Sequence, residues 1–313
     1  MRQYDVLCAG LMVMDVIATN VTRAVFDMDT LHTKRTVYST GGDALNVSMN
    51  LTKLGAKVAM AGCVGNDAAG LGILRQLDDA GINHDCVQVV KDETTATSMV
   101  LCEPNGERHF LYYGGANRDF DGSSLTDEAL SQAKILFIGS FLGLPALEEG
   151  HLLPLFQRAH ALGLMTAMDA CGGSREDCGP ETIRDVLPVL DVFIPSEGEA
   201  AVLSGESDPE KAIKFFAENG VKLAGVKLGK DGCLLYQDGA FLHVPAYYCE
   251  TPVDTTGAGD AFMSGFLRGL TLGEPLETCA RMGCAMGNSC VRSLGATTHN
   301  CSLESIRAIM QQA

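Results

Sequence analysis

Short apolar runs that alternate with helix-like segments constrain this chain more than any other feature. Residues 57–63, 134–138, 164–168, 191–194 and 223–228 each have the length and composition of a buried strand. Segments 152–162 and 209–219 instead carry apolar residues at three- and four-residue spacing, the mark of one helix face. Strands and helices in alternation predict an α/β, doubly wound, mostly parallel sheet flanked by helices and joined by right-handed crossovers. Two stretches break that rhythm. Residues 14–40 and 94–114 alternate in polarity and are rich in Thr and Tyr, as in Thr33-Lys34-Arg35-Thr36-Val37-Tyr38 and Thr97-Ser98-Met99-Val100-Leu101-Cys102, the latter followed by a Pro104-Asn105-Gly106 turn. The expected organisation is therefore a main α/β domain over 1–13, 41–93 and 115–313, with a small β unit over 14–40 and 94–114.

The chemistry concentrates in Asp254-Thr255-Thr256-Gly257-Ala258-Gly259-Asp260, where two carboxylates flank a glycine turn. Phe262, Phe266, Leu267 and Leu270 follow at helical spacing, while Ala261, Ser264, Gly265 and Gly269 stay small. A helix therefore begins near Gly257, and its first N–H groups lack intrahelical partners and favour an anion. Asp260 falls in that first turn, placed to take a proton from an alcohol in front of a phosphoryl group. A helix-capping role for Asp260 is the plainer alternative.

A second glycine pair opens another helix. In Gly41-Gly42-Asp43-Ala44-Leu45-Asn46, Asn46 comes near the helix start, Val47, Leu51 and Leu54 share a face, and Gly55 ends it. Upstream, residues 6–10 read as a buried strand, and Asp15 follows within one short loop, a carboxylate suited to neighbouring hydroxyls of a polyol.

Together with Gly115-Ala116-Asn117, the run from Val226 to Gly232, Asn288 and Gly295-Ala296, these residues make the chain resemble the ribokinase-like (PfkB) carbohydrate kinases along nearly its whole length. The resemblance implies Asp260 as catalytic base and Gly257, Ala258 and Gly259 as anion hole. It implies a sugar site from Asp15, Gly41, Gly42 and Asn46, and an ATP site from Ser196, Lys227, Gly229, Gly232 and Asn288. Glu199 would organise Mg2+ through water, and Asp254 and Thr256, with Ser293-Leu294-Gly295-Ala296, would hold K+. The β unit would serve as a lid over the sugar, its outer face joining two copies as a homodimer. Arg108, returning from that lid, would contact substrate or the transferred phosphoryl group, or else be a surface arginine of the hairpin.

Two positions depart from the family pattern. Lys227 stands where a hydroxyl residue is usual, either gaining an ionic contact to phosphate or reaching out to solvent. Ser196 stands where Asn is usual, and Ser196-x-x-Glu199 is also a capping-box spacing. Asp169, at the end of the 164–168 run, would lie at the ligand-binding end of the sheet.

The activity implied is transfer of the γ-phosphoryl group of Mg-ATP to a hydroxyl of a small sugar. A nucleoside or sugar acid is the alternative acceptor; the absence of Trp and 6% aromatic content weigh against a nucleoside. A non-catalytic sugar or nucleotide sensor is the alternative from another class. A net charge of −16 without a dense basic run excludes a nucleic-acid partner. Twelve scattered cysteines without a C-x-x-C pair read as buried free thiols in a reducing cytoplasm. Neither a leader peptide nor a membrane span is expected.

Overall fold

The computed structural model describes residues 2–105, 107–172 and 178–311, so Gly106 of the expected turn lies outside them. Thirteen strands are present among the described residues: β1 Tyr4–Ala9, β2 Val13–Thr19, β3 Arg35–Gly41, β4 Val58–Gly65, β5 Asn83–Val90, β6 Thr97–Cys102, β7 Arg108–Tyr113, β8 Ala133–Phe141, β9 Met165–Ala170, β10 Val192–Phe193, β11 Leu223–Lys227, β12 Cys233–Gln237 and β13 Ala240–Val244. Nine form one sheet in the order β13-β12-β11-β10-β9-β8-β1-β4-β5. From β5 to β11 every neighbouring pair is parallel, and only β12 and β13 add antiparallel edges.

Alternation along β1 shows why both sheet faces are covered. Leu7 and Ala9 enter a core beneath the helices Leu152–Ala161 and Pro209–Glu218, while Val6 and Cys8 enter a second core beneath Asp43–Lys53 and Ala258–Leu272. A parallel strand buried on both faces reads as a continuous apolar run, which is how the sequence reads here. No described helix is long and apolar enough to cross a membrane. Eight of the twelve cysteines are buried, and no disulfide is present among the described residues.

The remaining strands form a separate sheet in the order β3-β2-β6-β7. Its core is small: Ile17, Val100 and Cys102, with Val37 and Leu294 against them. Register places Asp15 opposite Ser39 on one side and Ser98 on the other, with Tyr112 opposite Ser98, so one row across the sheet is polar. Asn117 ties this sheet to the large one. Its amide accepts from Met12 N–H and donates to Met12 C=O, both at 3.1 Å, just before β2 begins.

The helices Ala258–Leu272 and Leu276–Cys290 pack through glycines. A Cβ on Gly265 would stand 2.4 Å from Met282 O, and one on Gly283 would meet the Phe262 ring at 2.8 Å. Alanine favours a helix over glycine by about 1 kcal/mol, yet overpacking a tight contact costs about 1–3 kcal/mol. Gly265→Ala is therefore expected to destabilise by roughly 1–2 kcal/mol. Gly198, in helix Glu197–Ser204, has nothing within 4 Å of an added Cβ, and Gly198→Ala is expected to be neutral or to stabilise by about 0.5 kcal/mol. Urea midpoints measure both; equal stability of Gly265→Ala and the parent would contradict the contact argument.

Candidate functional site

The site lies at the carboxyl ends of the parallel strands, where ligands of open α/β sheets collect. Gly257 caps the helix Ala258–Leu272 in the left-handed conformation, φ 73°. Its missing side chain is also a steric requirement, because a Cβ would come within 2.2 Å of Ala296 Cβ. The Ala258 N–H points to Thr255 O at 3.2 Å. The N–H groups of Gly259 and Asp260 belong to the first helical turn and have no intrahelical acceptor.

Asp260 is buried in that turn, and its Oδ2 accepts from Asn46 Nδ2 at 2.8 Å. Asn46 thus meets the carboxylate directly, while its Oδ1, also buried, has no donor from the protein. Gly42, with φ 86°, opens the helix Asp43–Lys53 that delivers Asn46. Gly41 has a different role: a Cβ there would strike Asp15 Oδ1 at 2.3 Å, so the bare backbone lets the Asp15 carboxylate lie against it.

Burial governs the electrostatics. Desolvation pushes Asp15 up to about 7, with the charges of Asp260 and Asp254 adding to the effect. Desolvation also raises Asp260, against the Asn46 hydrogen bond and the Lys227 charge. Asp43, half-buried at the first turn of its helix, is raised by desolvation and then by Asp260 and Asp169. Sequence reading passed over Asp43 as a site residue, although it directly follows the glycine pair. Ser39 and Ser98 beside Asp15 carried no local signal, since cross-strand register alone brings them together.

Lys227 does not reach solvent. Its Nζ pairs with Asp169 Oδ2, the two side chains being 11% and 3% exposed. A Cβ on Gly259 would lie 3.3 Å from Lys227 Nζ, so the ammonium sits against the glycine turn. Burial opposes its charge, but Asp169 and Glu199 hold it above the usual lysine range. Desolvation pushes Asp169 up to about 7 even with Lys227 beside it. Ser196 bridges to Lys227 across the chain, and its N–H donates to Glu199 Oε2 at 2.8 Å, as the capping-box spacing predicted.

Next to the glycine turn opens a cavity of about 580 Å3, the size of a small-molecule site. Lys227, Gly229, Gly232, Ala258, Gly259 and Asn288 are among its walls, with Tyr247, Phe262, Cys284 and Val291 giving apolar surface; Ser196 is not among them. Asn288 holds the wall in place, donating to Tyr247 O at 2.9 Å and Tyr248 O at 3.1 Å. Arg108 reaches across from β7 to the same turn: its guanidinium pairs with Asp254 and bonds Thr256, and donates to Thr255 Oγ1 at 2.8 Å.

Known proteins resemble this chain along most of its length. An ATP-dependent 6-phosphofructokinase of Thermoanaerobacterium thermosaccharolyticum is 28% identical, over 98% of this chain and 94% of that protein. A ribokinase of Schizosaccharomyces pombe is 26% identical, over 86% of each. The structure of Arabidopsis thaliana ribokinase complexed with ribose and ATP superposes with a TM-score of 0.85 at 23% identity, covering 98% of this chain and 99% of that one. The pattern of pfkB family carbohydrate kinases matches residues 3–302, and the chain belongs to that family of enzymes.

Proposed function

We propose that this enzyme transfers the γ-phosphoryl group of Mg-ATP to a hydroxyl of a small sugar, with Asp260 as general base. The observation that carries the reading is the buried Asp260 carboxylate in the first helical turn, between Asn46 and the cavity lined by Gly259 and Lys227. ATP occupies that cavity, its purine against Tyr247, Phe262 and Val291 and its phosphates towards Lys227 and the glycine turn. The sugar lies between Asp15, Gly41, Gly42 and Asn46, with the polar row of the second sheet as a lid that excludes water. Asp260 takes the hydroxyl proton as the oxygen bonds to the γ-phosphorus; the bond from that phosphorus to the bridging oxygen breaks and ADP leaves. N–H groups of the glycine turn, together with Lys227, stabilise charge on the group in transfer.

Glu199, whose charge acts on Asp260 and Asp43, is a carboxylate suited to hold hydrated Mg2+. Bound there through water, Mg2+ would neutralise charge on the phosphate oxygens. The outer face of the second sheet exposes Tyr38 (71%), Leu111 (53%) and Met99 (47%), which a second copy would cover to give a homodimer.

The test is ADP release from Mg-ATP across pentoses, hexoses, sugar phosphates, sugar acids, polyols and nucleosides. One strongly preferred acceptor is expected, and Asp260→Asn should lower kcat by on the order of a hundredfold or more while acceptor binding changes only a few-fold. Near-normal turnover by the variant would remove Asp260 as base; acceptor binding without turnover by the parent would favour a sensor.

Asp15 gives a prediction with a definite sign. The folded state holds its proton more tightly than the unfolded chain, so the cost to stability is full above about pH 7 and fades gradually as pH falls from 7 towards the ordinary carboxylate value of 3.8. Asp15→Asn should therefore raise Tm at pH 8 by roughly 2–4 °C, an advantage that shrinks at pH 5.5, while acceptor affinity falls. A pH-independent change in Tm would contradict this account. For the dimer, sedimentation velocity should give twice the chain mass for the parent and a monomer for Met99→Glu/Leu111→Glu; a monomeric parent would reject it.

A further inference from the structure

The resemblance places K+ between Asp254, Thr256 and the loop Ser293-Leu294-Gly295-Ala296. The residues found there do not fit a bound ion, because both Asp254 carboxylate oxygens and the Thr256, Leu294, Gly295 and Ala296 carbonyls already have donors from the protein. Asp254 Oδ1 accepts the Thr256 N–H at 2.8 Å and pairs with Arg108; Oδ2 accepts the Gly295 N–H at 2.8 Å. The Thr256 carbonyl accepts from Cys290 Sγ at 3.5 Å, and the Ala296 carbonyl from Asn50 Nδ2 at 3.4 Å. Further along the loop, Lys53 Nζ bonds the Thr297 carbonyl and donates to His299 O at 2.9 Å.

We propose that Arg108 is the resident cation of this loop and that the enzyme works without a monovalent metal ion. A guanidinium stays charged throughout the working pH range and presents its donors in a fixed fork, so one side chain bonds Asp254, Thr255 and Thr256 together. That grip orients the turn immediately before Gly257. Arg108 is thus a positioning residue: it touches neither reacting atom, but it ties the first residue of β7 to the glycine turn. The proposal rests on the kinase reading for its kinetic arm only.

The experiment compares KCl, NaCl and tetramethylammonium chloride at equal ionic strength, reading Tm and initial rates. For the parent, Tm should be the same in all three salts and kcat should agree within about twofold. Arg108→Ala should lose kcat by on the order of tenfold or more, with a smaller change in KM for the acceptor, because the turn and not the sugar site is disturbed. Potassium should then raise the variant's Tm and restore part of kcat, as an ion takes the position that the guanidinium leaves. Arg108→Lys, which keeps the charge without the fork, should fall between. Activation of the parent by K+ beyond about fivefold, a K+-dependent parent Tm, or an Arg108→Ala enzyme with unchanged kcat would overturn the proposal. Parent Tm decides the cation question even where Arg108→Ala fails to fold or Asp260 proves not to be the base.

Discussion

Crowding of carboxylates at one end of the large sheet is the constraint around which the rest of the molecule is arranged. Asp15, Asp43, Asp169, Asp254 and Asp260 are drawn together there, and burial with mutual repulsion raises the proton affinity of four of them. Such a group persists only where cations and hydrogen-bond donors stand among the acids. Lys227 answers Asp169, Arg108 answers Asp254, and Asn46 donates to Asp260. Each of these partners comes from a different element, so the charge balance of the site depends on the whole fold being closed. The large sheet supplies the rigid ends, and the helices opened by Gly42 and Gly257 deliver the side chains.

Much of this was legible in the sequence. The parallel sheet followed from apolar runs that are buried on both faces, and the helices from their spacing. The glycine turn before Asp260 was legible because left-handed backbone and close approach to Ala296 both demand glycine at position 257. What stayed hidden depends on pairing across long stretches of chain. Lys227 and Asp169 are 58 residues apart, and Arg108 and Asp254 are 146 apart. Neither pairing has a local signature. Lys227 therefore read equally well as a phosphate contact or as a solvated lysine, and only its ion pair shows that it turns inwards. Arg108 was likewise legible as a residue returning from the small sheet, but not as a partner of the turn before Asp260.

The small sheet contrasts with the large one in what holds it. Three buried apolar residues form its core, and its inner row of Asp15, Ser39 and Ser98 is polar. A sheet with so little apolar burial depends on attachments at its margins. Asn117 fixes the entry to β2 through both backbone groups of Met12, and Arg108 fixes the start of β7 to the glycine turn.

The glycine-lined contact between Ala258–Leu272 and Leu276–Cys290 has a mechanical consequence. With backbone against backbone at Gly265 and Gly283, neither helix has room to slide past the other. The first helix carries Asp260 and the second carries Asn288 on the cavity wall, so the buried carboxylate and that wall of the cavity are held as one block. The thin sheet lies outside this block, joined to the large sheet where Asn117 grips Met12.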